Sequence, residues 1–366
     1  MLQEFGVQGV RVQEVFGLDE ALLAMLPKPV YGLIFLFRYL EDDSTAQESI
    51  CPEHVWFANQ TTGNACATVA LLNIAMNIAG VELGENLKSF KDFTKDLTPA
   101  MRGNQIVNFE FIKRIHNSFA RKIDMMNIDL GMQDQVKTAK SKKGKSKKKK
   151  KGVDDDAAFH FSAFMPIEGD VWKLDGLDRQ PLRLETIGDS DWLQLIAPNI
   201  SARMTQYEEG QVEFGLLALV KDPLIEAREQ LAQNIKTIRD VETRLEMINS
   251  DWRAFSSTTD ESENTVLAGP SSEYHITGQA ILTAKLPLSI ERKIDTDDDP
   301  TTLLELRQKA VTEQAALKAT IGDEQASAQA DQDKAEARRH DYGPLIRTWL
   351  RMLAENGTLQ KLMKEV

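Results

Sequence analysis

The residues with the clearest chemical potential lie between residues 60 and 72, in the run Gln-Thr-Thr-Gly-Asn-Ala-Cys-Ala-Thr-Val-Ala-Leu-Leu. A polar, Gly-containing turn leads straight into an apolar segment that reaches Gly80. From residue 67 to residue 79 nearly every side chain is Ala, Leu, Ile, Val, Met or Asn. This predicts a buried helix closed by a C-terminal Gly. Cys66 then falls at or just before its first turn, where unpaired N–H groups carry partial positive charge that suits a thiolate. A cysteine so placed is a candidate nucleophile. The alternative is one more small buried residue, as most free cysteines are.

A thiol nucleophile needs a base, and the base needs a group that orients it. There are five histidines. His54 lies in a loop close in sequence to Cys66. His116 ends a helical stretch, where structural hydrogen bonds are expected of it. His275 and His340 fall in the polar C-terminal part. His160 lies on an alternating strand, with Phe159, Phe161 and Ala163 on one face and His160, Ser162 and Phe164 on the other. Gly169-Asp170 makes a turn, and residues 171–177 form the second strand of a β-hairpin. The hairpin brings a carboxylate, Asp175, near His160, where it can accept the imidazole N–H and hold the tautomer. Acyl transfer also needs donors for the developing oxyanion. The backbone N–H of Cys66 is one. The side-chain amide of Gln60 is the second, with Asn64 as a weaker rival. Together these residues make the case for a Cys-His-Asp hydrolase.

The elements that must position them read as a mixed α/β domain over residues 1–221. Residues 7–16 suggest a short strand and turn, and residues 18–25 a short helix ending before Pro27 and Pro29. Residues 30–37 form a dense apolar run, predicted to be a central strand buried on both faces. Residues 41–53 read as a surface loop. Residues 81–126 read as helical, with Leu87, Phe90 and Phe93, then Phe109, Ile112 and Ile115, at helical spacing. Residues 192–204 suggest a helix and residues 212–220 a further buried strand. Residues 127–157 break the pattern with lysine, Ser, Gly and Thr, then Asp154-Asp155-Asp156. Such a segment cannot bury apolar surface and is predicted to be a disordered, solvated insertion. Its lysine run also fits a nuclear import signal.

Beyond residue 221 the character changes. Leu224, Leu231, Ile238, Leu245 and Trp252 recur every seventh residue, and Ala227, Ile235, Val241 and Ile248 fill most of a second seam. This predicts a long amphipathic helix with coiled-coil character, whose stripe implies a partner. Residues 256–300 are rich in Ser, Thr, Asp and Glu with few large apolar residues apart from Ala280 to Ile290, and read as a long mobile insertion. A polar helix is expected over residues 300–339, ended or kinked by Asp341-Tyr342-Gly343-Pro344. A last helix presents Leu345, Ile346, Trp349, Leu350 and Leu353 before Gly357, and Leu359, Leu362 and Met363 add an apolar patch. A Trp-centred helix of this kind is either a docking surface or packs back on the coiled coil.

The 366 residues carry a formal net charge of -12, and ten lysines lie between residues 137 and 151, so the remainder stands at -22 (-12 less 10). An acidic body argues against nucleic acid as a direct partner. Two cysteines, Cys51 and Cys66, do not make a disulfide framework, which points to a reducing compartment. No apolar run is long enough to span a bilayer, and the N-terminus lacks the pattern of a signal peptide. Cytoplasm and nucleus are the expected locations.

The turn from Gln60 to Cys66, with Ala67-Thr68 after it, closely resembles the active-site turn of the ubiquitin carboxy-terminal hydrolases. In that family a glutamine lies six residues before the nucleophile, and the histidine and aspartate lie fifteen apart, as Gln60 and Cys66 and then His160 and Asp175 do. Gly32-Leu33-Ile34-Phe35-Leu36-Phe37, His116-Asn117-Ser118-Phe119-Ala120-Arg121 and Leu174-Asp175-Gly176-Leu177 reinforce the match. The C-terminal extension is similar to that of the proteasome-associated member of the family. The resemblance implies a papain-like ubiquitin C-terminal hydrolase fold of class α/β, a central antiparallel sheet flanked by helices. An α-helical, coiled-coil-like regulatory extension over residues 222–366 would follow it. It implies cleavage after the C-terminal glycine of ubiquitin, with Cys66 as nucleophile, His160 as base and then acid, Asp175 orienting it and Gln60 stabilising the oxyanion. Residues 127–157 would be the active-site crossover loop, lysine-rich where the family's loop is not. No cofactor, metal or membrane is implied. Expected partners are ubiquitin and its conjugates, the adaptor domain of the proteasomal ubiquitin receptor through the C-terminal helices, and chromatin-remodelling complexes. Two departures stand out: the family's Asp-Pro-Gly segment before the first helix is missing, with an expected effect on affinity, and the basic tail is not seen before Val366. Competing readings are a non-catalytic ubiquitin- or complex-binding scaffold and a hydrolase of another ubiquitin-like modifier.

Overall fold

The computed structural model describes residues 1–38, 48–119, 159–209, 214–255, 266–296 and 299–358. The expected crossover loop and lysine run, residues 127–157, lie outside them. The chain divides into two compact units, Met1–Lys221 with Lys334–Val366, and Asp222–Asp333.

The first unit is built on β2 (Val30–Arg38). Its β-branched and aromatic side chains alternate between two cores. Leu33, Phe35 and Phe37 enter one core, while Ile34 enters the other. Both faces are therefore covered, as the continuous apolar run predicts. The antiparallel sheet adds β1 (Val10–Glu14), β3 (Phe159–Ile167), β4 (Asp170–Asp175), β5 (Leu182–Thr186) and β6 (Gly215–Lys221) in the order β1-β6-β2-β3-β4-β5. Strand β5 is absent from the sequence reading. Its Leu-Arg-Leu-Glu-Thr alternation is short and mostly polar because it pairs at an edge.

One face of the sheet carries α1 (Leu2–Phe5), α3 (Cys66–Ala75), α4 (Gly84–Thr94), α5 (Pro99–Asn108) and α6 (Glu110–Ser118). The other carries α2 (Glu20–Ala24) and α7 (Trp192–Glu209). Helix α3 lies against β2 and β3, and Gly32 makes the approach possible: a Cβ there would sit 3.0 Å from Ile74 and 3.1 Å from the Phe164 carbonyl. The helix ends at Ala75, not at residue 79. The Asn77 N–H turns back to the Ile74 carbonyl (2.9 Å), and Gly80 takes its positive φ of 74° in the loop beyond. Of the periodic residues of α4, Leu87 and Phe90 are buried, whereas Phe93 is exposed.

The second unit is organised by α8 (Pro223–Ile248), started by Asp222, whose carboxylate accepts the Leu224 N–H (3.1 Å). Its seam residues Leu224, Ala227, Leu231, Ile235, Ile238, Val241 and Leu245 are all buried. The expected external partner is not what covers them. The chain supplies its own cover through α9 (Gly278–Thr283), α10 (Leu288–Thr296) and α11 (Pro300–Arg339). Nor do residues 266–296 form a mobile insertion: Ile276, Ile281, Leu286 and Ile294 are buried anchors that dock short helices on α8. Residues 256–265 and 297–298 of that expected insertion lie outside the described residues. A buried polar pair sets the register of α8 against α11. Gln314 Nε2 donates to Asn234 Oδ1 (3.1 Å) and Asn234 Nδ2 donates to the Ala310 carbonyl (2.8 Å). No helix among the described residues is long and apolar enough to cross a membrane.

Candidate active site

The site begins with a segment that is neither helix nor strand. Residues 55–58 are buried, so their backbone N–H and C=O groups must find partners. Two asparagines four residues apart provide them, Asn73 in α3 and Asn77 in the turn just past its end. Asn73 accepts the Ala58 N–H (2.9 Å) and donates to the Ala58 carbonyl (3.2 Å). Asn77 accepts the Trp56 N–H (2.8 Å) and donates to the Trp56 carbonyl (2.7 Å). The segment is thus paired to a helix through side chains as it would be to a strand through backbone.

From the other side the buried Arg102 of α5 donates to the carbonyls of Val55, Phe57, Thr94 and Lys95. It also lies against the Trp56 ring and the Cys51 thiol. Burial raises the Cys51 thiol above its ordinary range, against the pull of the nearby guanidinium. Two glycines allow the final approach. A Cβ on Gly103 would lie 2.1 Å from the Asn59 carbonyl, and one on Gly176 would lie 3.1 Å from the Gln60 Cβ. The Gln60 N–H donates to the Gly176 carbonyl (2.8 Å). Gln60 is therefore held between the helix that bears Cys66 and the turn that follows Asp175.

At the start of α3, Ala65 is the cap residue and offers no side-chain hydrogen bond. The first-turn N–H groups beside Cys66 are left for another acceptor. Gln60 Nε2 donates one hydrogen to the Thr62 carbonyl (2.9 Å), and its Oε1 is buried without a partner. The second Nε2 hydrogen is the one available to a developing oxyanion. Asn64, the rival, is exposed.

His160 and Asp175 meet across β3 and β4. Ser162 pairs with Asp175 and Phe164 with Lys173, so residues 160, 162 and 164 share a face with residues 173 and 175. His160 Nε2 and Asp175 Oδ1 are 2.6 Å apart, with side chains only 5% and 6% exposed. The Leu177 N–H donates to the same Oδ1 (3.0 Å). Phe37 meets the imidazole edge-on at 5.5 Å. Cys66 is the second group that favours the charged imidazole, through its interaction with the ring and its charge. Burial alone would lower the imidazolium. The interactions with Asp175 and Cys66, with their charges, overcome it and push His160 up to about 9. Burial likewise works against the Asp175 carboxylate, but the His160 bond and the nearby Lys173 charge hold it below its ordinary range.

The four residues predicted from sequence thus stand together. His116 does not join them: its Nδ1 lies 2.8 Å from Thr68 Oγ1, and burial lowers its imidazolium. His54 faces Trp172 and Glu168 instead. The sequence reading missed Asn73, Asn77, Arg102 and Lys173. The asparagines left a trace, as two polar residues four apart in an otherwise apolar run. Among the described residues there is no cluster of His, Cys, Asp and Glu suited to a metal ion.

A thiol at a helix start, acting on an imidazole that is bonded in turn to a carboxylate, is the constellation of a cysteine hydrolase. The comparisons give the class its family. Residues 1–205 match the family model for ubiquitin carboxyl-terminal hydrolase, family 1. The chain is 32% identical to ubiquitin carboxyl-terminal hydrolase isozyme L5 of Dictyostelium discoideum, over 100% of this chain and 91% of that protein. It is 35% identical to ubiquitin carboxyl-terminal hydrolase ubh-4 of Caenorhabditis elegans, over 69% and 77% of the two. Among solved structures it is similar to the Trichinella spiralis UCH37 catalytic domain bound to ubiquitin vinyl methyl ester, at 34% identity, covering 60% of this chain and 89% of that one, with a TM-score of 0.47. The chain belongs to the ubiquitin carboxyl-terminal hydrolases of family 1 and is a deubiquitinating cysteine hydrolase.

Two outcomes are expected. Asn73→Leu, which keeps the volume but strips the partners from the Ala58 backbone, should lower the unfolding free energy in urea by about 1–3 kcal/mol. The second concerns pH. His160 is raised from its ordinary 6.5 to about 9 in the folded chain. The stability it contributes is therefore fully present below pH 6.5 and is lost as pH rises through about 9. The difference in unfolding free energy between the chain and His160→Gln should shrink across that window. A difference that grows would contradict the assignment.

Proposed function

We propose that the chain hydrolyses ubiquitin conjugates through an acyl-enzyme formed on Cys66. The observation that carries the reading is the buried 2.6 Å bond between His160 and Asp175, on a ring whose charged form Cys66 favours. The thiolate attacks the carbonyl carbon of ubiquitin's C-terminal glycine. The oxyanion is met by the Cys66 N–H and the free Nε2 hydrogen of Gln60. Because Asp175 engages Nε2, Nδ1 is the ring nitrogen that serves the thiol side. The imidazolium gives its proton to the leaving amine, which departs and leaves a thioester. Water, deprotonated by His160, then hydrolyses the thioester and returns the thiol.

The C-terminal helices are proposed to bind the adaptor domain of the proteasomal ubiquitin receptor, with chromatin-remodelling complexes as a second destination, in cytoplasm and nucleus. What supports this is α12 (Gly343–Glu355), whose Leu345, Ile346, Trp349, Leu350 and Met352 are exposed among the described residues.

Release of a fluorophore from the C-terminus of ubiquitin tests the chemistry. Cys66→Ala should abolish turnover while leaving the fold intact. Gln60→Ala should cut kcat by about 100- to 1000-fold, as loss of one oxyanion donor does elsewhere. Turnover in Cys66→Ala would end the nucleophile assignment. For the partner, Trp349→Ala should lose co-sedimentation with proteasomes while keeping wild-type hydrolysis of the small adduct.

A further inference from the structure

Lys173 lies in the middle of β4, with a side chain only 4% exposed. A buried ammonium is costly unless it is paired and hydrogen-bonded. It has two carboxylates: Asp175 Oδ2 at 3.5 Å and Asp178 Oδ2 at 3.0 Å. The two oxygens of Asp175 are thus divided, Oδ1 to His160 and the Leu177 N–H, Oδ2 to Lys173. Asp178 leads to the other half of the site. Its backbone carbonyl accepts from Asn59 Nδ2 at 2.6 Å, and Asn59 immediately precedes Gln60. Neither chemistry nor packing calls for a charge here otherwise, since the cross-strand neighbours of Lys173 are Phe164 on β3 and Leu182 on β5.

From this network, and resting on the roles given above to His160, Asp175 and Gln60, we infer that Lys173 is a positioning residue for the hydrolysis. One ammonium fixes the carboxylate that orients the base and tethers the turn against which the oxyanion donor is seated. It touches neither substrate nor thiol. The ionisable groups around it are Asp175 on its own strand, His160 on β3 behind that carboxylate, and Asp178 with its neighbour Arg179 in the turn. With its cation gone, Asp175 would take up a proton more readily, and the imidazolium would lose its counter-ion as pH falls. Simple loss of packing would slow the enzyme equally at every pH.

The experiment is the pH dependence of Cys66 alkylation by iodoacetamide, followed by mass spectrometry of the Cys66 peptide, together with kcat and KM on fluorophore-tagged ubiquitin. In Lys173→Met the acid onset of alkylation should move up by about one pH unit, the scale of a lost neighbouring charge. At neutral pH kcat should fall more than KM rises. Lys173→Arg should restore the onset. Onsets that superimpose in wild type and Lys173→Met would overturn the inference. Should Lys173→Met not fold, Asp178→Asn decides. Removing that competing carboxylate leaves the ammonium to Asp175, and the onset should move to lower pH. An onset that stays or rises would overturn the inference. Alkylation does not require ubiquitin, so the two readings fail separately. A chain without turnover but with a shifted onset in Lys173→Met loses the proposed substrate and keeps the positioning role.

Discussion

A segment that belongs to no sheet has to be buried with its backbone polar groups satisfied, and the site depends on how that is done. Residues 55–60 carry Gln60 toward Cys66. They are paired by Asn73 on α3 and Asn77 just past its end, by Arg102 on α5, and by the Gly176 carbonyl at the turn after β4. Three different parts of the chain therefore fix Gln60, the helix that bears Cys66 and the hairpin that bears His160 to one another through one short run. A loop with free backbone groups in that position would be several kcal/mol worse, since each unpaired group costs about 1–3 kcal/mol.

The same logic of shared partners runs through the electrostatics. The imidazole, the Asp175 carboxylate and the Lys173 ammonium alternate in sign within a nearly dry pocket. Each charge would be costly alone and is stabilised by the next. A raised imidazolium and a lowered carboxyl are two faces of that arrangement. It gives the thiol a protonated partner over the working range of a cellular enzyme, which an isolated histidine at its ordinary value would do only in part.

The second unit solves a different problem with similar means. Its helix α8 has an apolar stripe long enough to demand cover. On the sequence alone the stripe implies a partner, and residues 256–300 read as a mobile insertion. The structure supplies the cover with few anchors. Ile276, Ile281, Leu286 and Ile294 are spread along a stretch rich in polar residues, and together they seat two short helices on α8. Periodicity recognises long stripes and does not see scattered anchors of this kind.

By itself the sequence determined the family and which residues are candidates for the site. The residue types and spacings of Gln60, Cys66, His160 and Asp175 are local facts, as are a helix start before an apolar run and a strand alternation that sets His160 and Asp175 on one face. It also determined β2 and the α8 seam, because continuous burial and a seven-residue repeat are written into the order of residues. Tertiary structure alone decided what holds these parts together. Asn73 and Asn77 read as odd polar residues in a helix until Trp56 and Ala58 are laid beside them. Arg102 reads as a surface charge until four carbonyls close on it. Lys173 reads as a charge on a strand until the turn brings Asp178 back to it. The physical reason is the same in each case. A hydrogen bond or ion pair is made by two groups, and when the second comes from a distant part of the chain, the first carries no mark of it.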